Sequence, residues 1–172
     1  KKLHIVSGVG TNVITSARVT NGYSNDHPYY EGMIRETSRN FRIREVCADP
    51  AYLSRKNCSI TEELGAQPFI LPKVNTRLDF TMPEARYPRP LAWVRMVELW
   101  KNNREQFLQH YHQRSNVEST FSSMKRKFLP YIRSKSETAQ FNEMLCKVVC
   151  HNLSVLCMAM FELNVNLKFE RI

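Results

Sequence analysis

The sequence has 172 residues, 42% hydrophobic and 24% charged, a length and balance that favour one globular domain with its own core and argue against a disordered chain. Lys and Arg number 25 against 16 Asp and Glu, a net charge of +9, which points to a polyanionic partner, nucleic acid before a membrane surface. The five cysteines form an odd set with no C-x-x-C pair, which argues against a disulfide framework and for a reducing compartment.

Residues 2–20 alternate and are rich in Val, Ile and Thr, and the break at Gly8, Gly10 and Asn12 predicts an antiparallel hairpin. Lys1 falls inside that alternation, so the fold is expected to start upstream. Residues 21–28 are turn-rich and end at Asp26, an N-cap candidate, with Pro28 placed for a first helical turn. A helix is expected over 29–40, a short strand over 43–48, a helix over 54–65 stopped by Gly65, and a buried strand over 68–72. Strand, helix and strand in that order imply a right-handed parallel crossover. The fold class read from this order is α/β, a mixed sheet of hairpin and parallel strands with helices packed against it.

Residues 73–90 are proline-rich and aperiodic, a loop or excursion within the domain. From Leu91 the pattern is helical: 91–109, a second stretch through 128, and a third over 137–163. The third is the most apolar part of the chain, but Glu143, Lys147, His151 and Asn152 would be costly in a bilayer, so a core helix and no membrane are expected. Cys146, Cys150 and His151 cluster there; two thiols and one imidazole do not complete a tetrahedral zinc set, so buried small residues are expected.

Residues 111–128 read YHQRSNVESTFSSMKRKF. On one helix, Tyr111, Glu118 and Lys125 are spaced by seven and drift only about 20° per step. Arg114 falls about 60° to one side. Val117, Phe121, Met124 and Phe128 make an apolar stripe beside that line, while Ser115, Asn116, Ser119, Thr120 and Ser123 are expected to face away. Glu118 would then lie at the seam between core and solvent, where a carboxylate can reach a metal. A plainer reading stays open: S-x-x-E from Ser115 is a capping box, and Lys125–Lys127 a solvated basic helix end.

Tyr111, Arg114, Glu118 and Lys125 match Y-x2-R-x3-E-x6-K, and the chain resembles the insertion-sequence transposases with a DDE site that carry this signature. KLHI at Lys2, NDHP at Asn25, ADPAYLSRKN from Ala48, ILPK ending at Lys73 and LCKVVCHNLSVL from Leu145 are similar to the same family, so the resemblance covers nearly the whole chain. It implies an RNase H-like fold and a single catalytic domain over 1–172. It also implies phosphoryl transfer with two divalent ions, Mg2+ or Mn2+, held by Asp, Asp and Glu. Asp49 matches the second aspartate and Glu118 the glutamate, as catalytic and metal-binding residues; Pro50 departs from the small or basic residue usual after that aspartate. Tyr111, Arg114 and Lys125 correspond to residues that contact DNA phosphates, with Lys73, Arg126 and Lys127, then Arg133 and Lys135, as further backbone contacts.

In the family the first aspartate lies on a strand before KLHI, which this chain lacks. Asp26 corresponds to a separate loop position. With two of three carboxylates the ions would be weakly held, and the chain as it stands is expected to be inactive or very slow. The partners implied are double-stranded DNA, at element ends and target, with a dimer when bound to DNA; the location implied is the prokaryotic cytoplasm, at the nucleoid. The alternative is a non-catalytic DNA-binding remnant of a transposase. A scaffold for RNA or membranes would need aromatic platforms or a clean amphipathic face.

Overall fold

A computed structural model describes residues 1–23, 25–72, 90–162 and 164. The chain divides into two compact units, Lys1–Gly22 with Asn116–Ile172, and Tyr23–Ser115.

In the first unit, β1 (Lys2–Ser7) and β2 (Ile14–Thr20) pair antiparallel, Leu3 opposite Val19 and Ile5 opposite Ala17, with an irregularity at Val6 and Ser7. The alternating β-branched residues produce this pairing because period-two patterning puts Leu3, Ile5 and Ala17 on one face. The turn closes by backbone bonds between Gly8 and Val13 (3.0 Å) and between Asn12 and Gly8 (2.8 Å), with Asn12 left-handed at φ 57°. Asparagine tolerates that conformation better than other non-glycine residues. The helices α5 (Ser115–Phe128) and α6 (Glu137–Glu162) supply Met124 and Val148, which pack with Ile14 as a small core flanked by Leu3, Ile5 and Ala17.

On α6, Asn152 treats β2 as a neighbouring strand would. Its Oδ1 accepts from the Ile14 N–H and its Nδ2 donates to the Ile14 carbonyl, each at 2.8 Å. His151, 1% exposed, donates through Nε2 to the Asn12 carbonyl at 3.0 Å, and its Nδ1 has no hydrogen-bond partner among the described residues. These two polar residues lock the helix to the hairpin.

The second unit holds α1 (Tyr30–Ser38), β3 (Glu45–Ala48), α2 (Arg55–Glu63), β4 (Gln67–Ile70), α3 (Leu91–Asn102) and α4 (Arg104–Tyr111). The strands pair in parallel, Val46 opposite Pro68 and Ala48 opposite Ile70, across the α2 crossover. Ser54 caps α2 by accepting from the Asn57 N–H at 3.0 Å. Gly65, at φ 71°, ends it with the paired bonds of a Schellman motif, Gly65 to Glu62 at 2.8 Å and Ala66 to Thr61 at 3.0 Å. Phe107, Ile70 and Met96 are fully buried, and Phe69, Trp100 and Tyr111 surround Phe107 with ring centroids 5.9, 5.1 and 6.0 Å away.

Several expectations are corrected. Among the described residues the strands form an antiparallel pair in the first unit and a parallel pair in the second; the α/β composition holds. The helix expected over 91–109 breaks at Asn103, at φ −144° and ψ 74°, whose side chain accepts from the Gln106 N–H at 3.1 Å and so starts α4. Asp26 opens only a 3₁₀ turn, His27–Tyr29, is itself helical in backbone and makes no side-chain capping bond. Nor is α6 a core helix: it buries Val148 and His151 and leaves Leu145, Val149, Leu153 and Phe161 exposed. Cys146 and Cys150, expected to be buried, are exposed too. By length and composition α6 could cross a membrane, yet its polar side chains are spent on protein backbone. Lys73 and nearly all of the 73–90 loop lie outside the described residues.

Candidate functional site

Asp49 follows directly on β3, whose parallel pairing aims the strand's carboxyl end at the crevice where open α/β sheets place their sites. Its backbone is extended (φ −62°, ψ 152°) and its carbonyl accepts from the Tyr52 N–H at 2.9 Å, so Asp-Pro here makes a 3₁₀ turn over Pro50–Tyr52. The carboxylate makes no cap on that turn and is 53% exposed. Its partner is Arg114, whose Nη1 lies 3.0 Å from Oδ1.

Arg114 reaches it from the 3₁₀ turn His112–Arg114 that follows α4, and its guanidinium also lies 5.6 Å from the Tyr111 ring centroid. Tyr111 is buried, its ring stacked on Phe107. The second unit thus brings together three residues singled out in the sequence: Asp49, Tyr111 and Arg114. Beside them Cys47 is held with its thiol pushed up to about 12, by burial first and by the Glu45 charge second, which keeps it protonated and inert. His110 pairs with Glu45 at 2.8 Å and stacks on Phe69 at 4.4 Å; sequence reasoning missed His110, and its place one residue before Tyr111 gave no signal.

In the first unit, Glu118 and Lys125 lie on α5, seven residues apart and both exposed. They line a groove of about 810 Å³ with Phe121, Arg126, Tyr131 and Lys147. Lys127 is exposed at the same helix end. The single helix expected over 111–128 is corrected to α4, a 3₁₀ turn and α5; a 3₁₀ turn advances about 120° per residue, so the seven-residue line does not run unbroken from Tyr111. Ser115 has helical dihedrals (φ −58°, ψ −18°), whereas an N-cap is extended, so the capping-box backbone is absent. Thr120, expected to face away, is 1% exposed: it lies one turn from Met124, and its hydroxyl is satisfied by the Asn116 carbonyl at 3.1 Å. Asn116 donates to the Val9 carbonyl at 2.7 Å, tying the start of α5 to the hairpin turn.

Carboxylates of this kind suit a hard divalent cation. In number the donors fall short: among the described residues no three His, Cys, Asp or Glu side chains gather to hold a metal, and one Asp49 oxygen is engaged by Arg114.

Residues 1–153 match a family model described as a transposase DDE domain. No curated protein and no solved structure matches the chain.

Proposed function

The chain belongs to the transposase DDE domain family, and from that premise we propose that it is the RNase H-like catalytic part of an insertion-sequence transposase, nicking and joining DNA at element ends. The order of hairpin, strand, crossover helix, strand and helices is compatible with that fold. The observation that carries the site assignment is the Asp49–Arg114 ion pair. Two residues far apart in sequence, Arg114 from the family signature and Asp49 from the ADPAYLSRKN stretch similar to the same family, lie 3.0 Å apart at the end of a parallel strand.

Asp49 and Glu118 are assigned as metal-binding carboxylates; a bound Mg2+ or Mn2+ would act as a Lewis acid on phosphate and lower the pKa of bound water. The assigned pair falls short of three carboxylates, so weak ion binding and very slow cleavage are expected of this chain. Arg114 offers a planar fork to a phosphate, oriented by Tyr111 beneath it. Lys125, Arg126 and Lys127 offer point charges along one helix end, with Lys73 as a further contact. Double-stranded DNA is the partner, bound by a dimer, in the cytoplasm at the nucleoid.

A second reading, a DNA-binding remnant without catalysis, is favoured by the pairing of Asp49 with a cation in place of a carboxylate cluster. Cleavage of a terminal-repeat duplex with Mn2+ separates the two. The enzyme reading expects slow nicking abolished by Glu118→Gln and by Asp49→Asn; equal residual nicking in those variants would leave only the remnant.

A further inference from the structure

The segment between α5 and α6 opens on Leu129, left-handed at φ 68°. That conformation is disfavoured for an L residue with a side chain, so the surroundings must hold it. What holds it comes from α6. Glu143 accepts from the Arg133 N–H (3.1 and 3.0 Å to its two oxygens) and from the Ser134 N–H (2.9 Å). One turn further, Lys147 donates to the carbonyls of Leu129 (3.4 Å) and Tyr131 (2.7 Å). The two side chains pair at 3.1 Å and are each 19% exposed. An acid thus takes the loop's N–H groups and a base its carbonyls.

This loop is also a wall of the groove that contains Glu118, Lys125 and Arg126: Leu129, Pro130, Tyr131 and Ile132 line it, and so does Lys147. Arg133 and Lys135 are carried on the same stretch, both exposed.

We propose that Glu143 and Lys147 are positioning residues for nucleic-acid binding: their pair fixes the 129–134 loop so that Lys125, Arg126 and Arg133 present one rigid cationic rim to a phosphate backbone. The proposal rests on the reading of Lys125 and Arg126 as DNA contacts. Rigid presentation matters because each flexible cation must otherwise be ordered on binding, at an entropic cost that lowers affinity.

Charge alone and positioning give opposite signs. Removing an acid from a DNA-binding face strengthens binding if Glu143 acts only through its field; if it holds the loop, binding weakens although the chain becomes more positive. Duplex affinity at fixed salt, read by fluorescence anisotropy, is expected to fall at least threefold in Glu143→Ala. The salt slope should stay unchanged, since Glu143 touches no phosphate. Lys147→Ala is expected to match it and Lys147→Arg to recover most of the loss. Hydrogen exchange at the Arg133 and Ser134 amides should rise in Glu143→Ala while the amides of α5 and α6 stay protected.

Equal or tighter binding by Glu143→Ala overturns the proposal, as does a chain that binds no duplex. Where Glu143→Ala fails to fold, Glu143→Gln keeps the shape, loses the charge and carries the same test. Lys125→Ala separates the two levels. Unchanged affinity there sinks the reading of α5 as a DNA contact, whereas faster amide exchange in Glu143→Ala reports on the loop alone.

Discussion

At the scale of single residues, the chemistry concentrates in charged side chains whose partners are backbone groups or an opposite charge. In the Arg114–Asp49 pair the carboxylate is half-exposed, so the pair adds little to stability; its interest lies in what Arg114 can exchange it for. Arg114→Ala is expected to weaken duplex binding and lower the salt slope by about 1, the signature of one lost phosphate contact. Arg114→Lys should restore the slope but not the full affinity, because an ammonium lacks the fork.

Glu143 gives a pH prediction. Its carboxyl is held down to about 2, chiefly by the Ser134 N–H and also by the Arg133 N–H and Lys147, against some desolvation. A depressed carboxylate contributes stability above its unfolded value and loses it as pH falls through the folded one. The loop's amide protection should therefore persist at pH 5 and fade from about 4.3, the ordinary glutamate value, towards 2. Glu143→Gln should lack that acid limb, which proton-exchange NMR can read.

At the scale of elements, stop signals and buried aromatics set the expected costs. Gly65 at φ 71° has open space where a Cβ would stand, so Gly65→Ala meets strain and no clash, and a loss of about 1 kcal/mol is expected in denaturant unfolding. Phe107→Ala removes the centre of the aromatic cluster and is expected to cost about 3–5 kcal/mol by the same measurement. Asn152→Ala strips both backbone groups of Ile14 of their partner, a loss of roughly 2 kcal/mol.

The hairpin, Gly65 and the β3–α2–β4 crossover were legible in the sequence because local rules decide them: alternation and a left-handed glycine; Ser54, read as the first residue of that helix, is its cap instead. The break at Asn103 was equally local and was missed because the apolar period runs across it. Thr120 was misjudged by residue type, since a threonine can bury its hydroxyl against its own helix. Cys146 and Cys150 were misjudged the same way, apolar character being taken for burial on a helix that touches the hairpin along one edge only. The Asp49 and Arg114 contact was out of reach of any local pattern; only the family resemblance, through the signature for Arg114 and the ADPAYLSRKN stretch for Asp49, put both residues on the same list of interest. Glu143 and Lys147 left an i, i+4 acid–base pair as their one mark, common on any helix.

At the scale of the whole molecule, the +9 charge predicts duplex binding dominated by counterion release. With Lys73, Arg114, Lys125, Arg126, Lys127 and Arg133 as the cationic contacts assigned above, the logarithmic salt slope is expected to be about −5. A slope near zero would mean that the positive surface is not what holds the duplex.

The two units differ in how they are cut from the chain. Tyr23–Ser115 is continuous, whereas its companion is built from Lys1–Gly22 and residues after Asn116. The hairpin is therefore synthesised before the Tyr23–Ser115 unit, and its partner helices after that unit. Its core partners, Met124 and Val148, and its backbone clamps, His151 and Asn152, leave the exit tunnel more than a hundred residues later. During that interval the middle of the chain has all its own sequence in hand, while the opening strands wait with an uncovered face. The Tyr23–Ser115 unit can thus fold in translation before the hairpin is covered, and α6 acts as the stitch that closes the hairpin's own unit.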